Sequence, residues 1–173
     1  TEKSFGVGDF GDLKKMIDFV SATHQRVLQL LPINDSTATH TWLDSYPYSC
    51  VSVFALHPQY INLKALPSLK DEKLYRHFQK LQKELNGLES LDYEKVNNAK
   101  NEYLSLLYQQ EGTKILASKE FSTFFENNQE WLVPCARFCS LRDQYKTPLF
   151  INWGEHKQWK ESWRKPLSNP KSK

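Results

Sequence analysis

The sequence contains no apolar run approaching the roughly 18 residues that a membrane-spanning helix needs, so no membrane span is read from it. It carries little excess charge. Its 23 basic and 20 acidic residues leave a net charge of +3, too mild to argue for nucleic acid as a partner. Cysteine is scarce, at Cys50, Cys135 and Cys139 alone. An odd number without dense spacing suggests reduced thiols in a cytoplasm rather than a disulfide framework. Cys135 and Cys139 lie four apart and could share a helix face, but no two further ligands stand in local spacing. The pair therefore reads as buried thiols, with no metal. Glycine is also sparse, and Gly6-Val7-Gly8 completes no phosphate-binding fingerprint and follows no visible strand. The opening Thr1-Glu2-Lys3-Ser4 is not a signal peptide, although Thr1 is not a natural start and leaves room for one upstream.

What is present is a globular composition, with 39% hydrophobic and 25% charged residues. The 173 residues allow one domain with a sizeable core, but fall short of the about 250 of a complete (β/α)8 barrel. Aromatic residues reach 13%, with five Trp and eight Tyr, and aromatic faces serve both core packing and stacking on sugar rings. After the Phe5–Gly8 loop, Asp9 or Asp12 can cap a helix whose Leu13, Met16, Ile17 and Val20 recur at helical spacing through about Thr23. The apolar run Val27–Ile33 has the length and β-branched ends of a strand buried on both faces, with Pro32 at its end. Asp71–Leu85, Val96–Glu111 and Trp131–Tyr145 read as helices, the last ended by Thr147-Pro148. Leu167–Lys173 is a basic tail expected to fray. One strand cannot form a sheet by itself, so helix, strand, long loop and many helices in that order suggest part of a larger α/β domain.

The stretch Asn34–Ser49 is the best functional candidate by position, because α/β folds place function on loops at the carboxyl ends of strands. It holds Asp35, His40, Trp42, Asp44, Ser45, Tyr46 and Tyr48. Carboxylates and hydroxyls can exchange hydrogen bonds with sugar hydroxyls, and the aromatic rings can cover pyranose faces. The plainer alternative is a surface loop whose Asp and Ser residues form turns. His40 could be a general base, but no partner for it is visible in the sequence, which favours a solvent-facing or core-edge role. Asp9 and Asp12 are accounted for by capping. Trp153, Trp159 and Trp163 stand among Lys157, Lys160, Arg164 and Lys165, a mix that could bind nucleic acid. Glu155 and Glu161 dilute it, and the four-residue spacing of Trp159 and Trp163 fits an amphipathic helix more simply.

Five stretches, in order, resemble the 4-α-glucanotransferases of the amylomaltase and disproportionating-enzyme family. Ser4–Leu13 resembles that family's loop and helix after its first barrel strand, and Val27–Ile33 its second strand. Asp44-Ser45-Tyr46-Pro47-Tyr48-Ser49 is similar to its Asp-Ser-Pro-Tyr sugar-contacting loop, with Tyr46 as an extra residue. Ser52–Ala55 followed by His57–Leu63 resembles the stretch behind that loop. Trp131-Leu132, Ala136-Arg137-Phe138 and Leu141-Arg142-Asp143 resemble a family helix. Asn34-Asp35, Ser45–Tyr48 and Leu91-Asp92-Tyr93 are most similar to the subgroup of the plant cytosolic transglucosidase and its bacterial relatives.

The resemblance implies an α/β fold, as the early part of a (β/α)8 barrel with a helical insertion, so that this chain itself is mainly α. It implies an early barrel segment over 1–63, a helical insertion over 64–130, and a barrel-associated helix with a basic tail over 131–173. It implies transfer of α-1,4-glucan segments between maltooligosaccharides by a retaining double displacement, in the cytoplasm and without a cofactor. Asp44, Ser45 and Tyr48 would be substrate-binding. The family's nucleophile follows a Gly-Asp-(Ile/Leu/Met)-Pro motif. Gly8-Asp9 and Gly11-Asp12 lead into no proline, and all three family carboxylates match positions after Lys173. No catalytic residue is therefore assigned to this chain, which by itself is expected to be inactive. Unpaired strand edges in a partial barrel would favour self-association. The competing functions are a carbohydrate-binding domain and a helical protein-interaction domain.

Overall fold

The computed structural model describes residues 3–160. Four α-helices dominate it: α1 (Phe10–Ala22), α2 (Glu72–Asn86), α3 (Tyr93–Leu116) and α4 (Lys119–Tyr145). Each begins at a side chain able to satisfy the free N–H groups of a helix start. Asp9 accepts from the backbone of Gly11 and Asp12 while Asp12 reaches back to Asp9, a complete capping box. Asp71, Asp92 and Ser118 cap the other three. α4 stops where Lys146 turns left-handed at φ 52°, just before Thr147-Pro148.

The helices predicted over Asp71–Leu85 and Val96–Glu111 are present, the second extended at both ends. α4 starts twelve residues ahead of the predicted Trp131, from the Ser118 cap. Its first half, Phe121–Asn128, is rich in Ser, Thr and Asn, which blur helical periodicity because their side chains compete for backbone hydrogen bonds. Trp163, Arg164, Lys165 and the expected basic tail Leu167–Lys173 lie outside the described residues.

The core joins the N-terminal loop to the α2–α3 pair. Phe5, Leu63, Leu69, Phe78, Leu85, Val96, Ala99, Tyr103 and Leu107 form one buried cluster. Each large side chain so buried contributes about 1.5–3 kcal/mol. Gly6 sits where only glycine fits. Its φ is +74°, and an added Cβ would lie 2.7 Å from Val96 Cγ2 and 2.9 Å from Leu85 Cβ. Its N–H donates to Asn86 Oδ1 at 2.6 Å, tying the loop to the end of α2. The Gly6-Val7-Gly8 stretch thus serves close packing against two helices.

The predicted strand Val27–Ile33 is not a strand. Among the described residues the one β-type pairing is an isolated antiparallel bridge, Asn34 to Leu56. Val27 is 78% exposed and Leu31 64%, so the run is not buried on both faces either. A parallel strand exists only by hydrogen bonding to neighbouring strands, and no neighbour is present to complete a ladder. α1 likewise buries none of its residues and leaves Met16, Ile17 and Phe19 exposed. The architecture of the described residues is thus mainly α.

Candidate functional site

The loop after Ile33 is anchored before it is exposed. Asp35 N–H donates to Ala55 O, Val51 N–H to Asp35 O and His57 N–H to Ile33 O, so residues 33–35 lie against 55–57. The Asp35 carboxylate accepts from Thr37 N–H at 2.9 Å, closing a turn. A short 3-10 turn at Trp42–Ser45 then brings Asp44 back under the loop.

Asp44 is buried, and its carboxylate accepts from Thr39 N–H at 2.9 Å, from the Thr39 hydroxyl at 3.0 Å and from His40 N–H at 2.6 Å. Both of its oxygens are engaged with its own loop. Ser45 is exposed. Tyr48 is 61% exposed, and its ring lies 5.5 Å from that of Tyr46. Trp42 and Phe54 are exposed nearby in sequence. The three sequence-predicted site residues therefore separate, with Asp44 inside the loop and Ser45 and Tyr48 on its outer side.

Beneath the loop lies a polar layer built from α3 and α4. Gln59 N–H donates to His57 Nδ1 at 3.2 Å, so the proton of this neutral imidazole sits on Nε2 and is donated to Tyr93 Oη at 2.8 Å. Burial pushes the His57 pKa down, against the opposing pull of Asp35 and Asp44, which keeps the ring neutral. Burial pushes the Tyr93 phenol well above its ordinary value, with Asp44 and Asp35 adding to the rise. Tyr93 therefore keeps its proton. Ser36 Oγ donates to Asp44 O at 2.6 Å.

Lys100, 1% exposed, reaches up from α3 and donates to the carbonyls of Gln59 and Ile61, the latter at 2.9 Å. Burial holds its pKa down to about 8, partly countered by Asp9 and Asp12. From α4, Arg142 Nη1 donates to Thr37 O at 2.6 Å and its Nε to Asp143 Oδ1 at 2.8 Å. The same Asp143 oxygen pairs with His40 Nε2 at 2.9 Å. His40, for which sequence offered no partner, thus has one 103 residues away. Burial pushes the Asp143 carboxyl up, but Arg142 and His40 outweigh it and hold the pKa below the usual carboxylate value. A cavity of about 350 Å³ opens between these groups, lined by Asp35, Thr37, His40, Asp44, Tyr93 and Arg142 among others.

Cys135 and Cys139 do share a face of α4, but they are half-buried rather than buried, and all three cysteines are free. The Cys139 thiol donates toward Cys135, which favours the thiolate on Cys135 and disfavours it on Cys139. No cluster of three potential metal ligands occurs among the described residues, nor any helix long and apolar enough to cross a membrane.

Sequence reasoning missed His57, Lys100, Arg142 and Asp143 as parts of this site. Each acts over 36 or more residues of separation, beyond the reach of local spacing.

The loop thus turns its carboxylates onto its own backbone, exposes Trp42, Tyr46 and Tyr48, and is fastened to α3 and α4. The 4-alpha-glucanotransferase family model matches residues 1–172, and the chain belongs to that family. It is 37% identical over 159 residues to the rice 4-alpha-glucanotransferase DPE2, covering 92% of this chain and 17% of that protein. It is 33% and 34% identical to the 4-alpha-glucanotransferases of Chlamydia muridarum and Chlamydia caviae, covering 88% of this chain and 28% of each relative. The chain thus spans between a sixth and about a quarter of the length of these relatives. No solved structure is significantly similar to it.

Proposed function

We propose that residues 34–49 form one wall of the glucan groove of a 4-α-glucanotransferase that moves α-1,4-glucan segments between maltooligosaccharides. The observation that carries this is the coincidence of family membership with an outward-facing Tyr46–Tyr48 pair on a loop held from beneath. A phenol joins an apolar ring to a hydroxyl and so suits a pyranose, whose faces are apolar and whose rim is polar. Ser45 and Tyr48 contact substrate in this reading, and Asp44 shapes the loop that presents them.

The chemistry proposed is retaining double displacement, in which one carboxylate attacks the anomeric carbon and a second protonates the leaving oxygen, then activates the acceptor hydroxyl. Neither Asp35 nor Asp44 is poised for such work, since both serve loop backbone. The carboxylates belong to other parts of the intact enzyme, and residues 1–63, 64–130 and 131–173 are an early barrel segment, a helical insertion and a barrel-associated helix with its tail. Free thiols suit a reducing, cytoplasmic setting.

Incubation of the intact protein with maltotriose tests the reading. Glucose together with longer oligomers is expected, and their absence at all acceptor concentrations overturns it. The present chain alone is expected to yield neither, and turnover that survives repurification would overturn the assignment of catalysis elsewhere.

A further inference from the structure

We propose that Arg142 and Asp143, adjacent on α4, are positioning residues that set glucan affinity by fixing the pose of loop 37–45. This rests on the functional reading above. The loop has no strand or α-helix of its own, only the turn at Trp42–Ser45. Its shape is imposed at three points. Arg142, buried, holds Thr37 O. Asp143 holds the His40 ring while accepting from Arg142 through the same oxygen, so that the two α4 residues and the two loop residues act as one clamp. From α3, Glu94 Oε1 accepts the Trp42 N–H at 2.9 Å, and the Trp42 ring lies 5.9 Å from that of Tyr93.

The clamp also holds a residue the chain would not leave there unaided. His40 is left-handed at φ 60°. A side-chain-bearing residue in this region costs about 1 kcal/mol or more and persists where its surroundings over-determine it, often beside a functional site. Here Asp44 takes the His40 N–H and Asp143 takes its ring. Trp42, Ser45 and Tyr48 follow within eight residues, so releasing His40 re-aims the surface that would meet the sugar. Arg142 is enclosed beneath the loop, and half-exposed Asp143 commits its Oδ1 to His40 and Arg142. They act through the loop.

If the loop must be docked to bind, apparent affinity falls in proportion to the docked fraction. The His40–Asp143 contact is half-exposed and modest by itself, whereas the Arg142–Thr37 contact is sheltered. Asp143→Ala in the intact enzyme removes the first contact and unseats the second. We expect KM for maltotriose to rise about three- to tenfold with kcat within about twofold. Amide exchange at residues 37–45 should accelerate by at least that factor, since opening of a docked loop grows faster than its docked fraction falls, while α2 and α3 stay protected. Asp143→Asn, which keeps an acceptor oxygen, should restore both. Unchanged exchange at 37–45 in Asp143→Ala overturns the clamp, and loosened exchange with unchanged KM overturns its role in affinity. A wild-type enzyme that fails to disproportionate maltotriose overturns the functional reading and the affinity claim with it, whereas the exchange measurement judges the clamp independently. Arg142→Lys, keeping one donor for Thr37 O, should fall between wild type and Asp143→Ala on both readouts, and wild-type exchange there would count against Arg142.

Discussion

Replacing Lys100 by Met should flatten the alkaline pH dependence of stability. Lys100 is 1% exposed, with its ammonium bonded to two backbone carbonyls and its pKa held down to about 8 by burial. In the unfolded chain the same group titrates near its ordinary 10.5. Below about pH 8 both states hold the proton. Between about 8 and 10.5 the native state has released it and the unfolded state has not, so the unfolded state binds more protons and stability rises with pH. Above that window both are neutral. The gap of about 2.5 pH units is worth on the order of 3 kcal/mol, of which roughly 2 kcal/mol accrues by pH 10. Met preserves the stem volume but cannot titrate. Urea unfolding of both proteins from pH 7 to 10 isolates the effect, because all other titrating groups cancel in the difference. The wild type should gain roughly 2–3 kcal/mol on the variant across that range. Parallel curves would show that Lys100 titrates normally and would refute the desolvation argument. The offset between the curves at pH 7 combines two opposed effects, the carbonyls of Gln59 and Ile61 left without a donor and the buried charge removed.

Asp44→Ala should leave the Thr39 and His40 N–H groups and the Thr39 hydroxyl without their acceptor, weakening loop docking by about 2–3 kcal/mol. Faster exchange at those two amides with a lower kcat/KM would confirm a loop role, while a kinetic loss with unchanged exchange would make Asp44 a direct sugar ligand. Tyr48→Phe in the intact enzyme should cost one hydrogen bond, on the order of 1 kcal/mol in kcat/KM. Tyr48→Ala should cost more, both with an unchanged thermal midpoint because the ring is exposed. Normal kinetics with a lowered midpoint would instead make Tyr48 structural. Gly6→Ala should destabilise by roughly 2–4 kcal/mol through overpacking and left-handed strain, visible as a thermal midpoint lower by on the order of 5–15 °C. A midpoint within about 2 °C of wild type would show that Val96 and Leu85 yield easily.

The helices were legible because their signals are local. Asp9 and Asp71 stand one residue ahead of the helices they cap, and apolar spacing carried α2 and the middle of α3. The loop at 34–49 was legible as a polar, turn-rich stretch. Val27–Ile33 misled because strand character is a property of a pair: the composition fits a buried strand, but no partner strand pairs with it among the described residues. The site's inner layer was illegible for a related reason. His40 and Asp143 are separated by 103 residues, and nothing near either one announces the other. Asp44, expected to face substrate, turns inward instead, since its acceptors are taken by Thr39 and His40.

The wide separation along the chain has a consequence for biosynthesis. Loop 37–45 leaves the ribosome long before its fasteners. Thr37 waits 105 residues for Arg142, which at translation rates of about 5–20 residues per second is roughly 5–20 s. Until α3 emerges to offer Glu94 and Tyr93 to Trp42, the loop has neither of its helical supports, although α1 can already have capped itself from Asp9 and Asp12. The pose of this loop is therefore fixed late, only once Arg142 and Asp143 on α4 have been made.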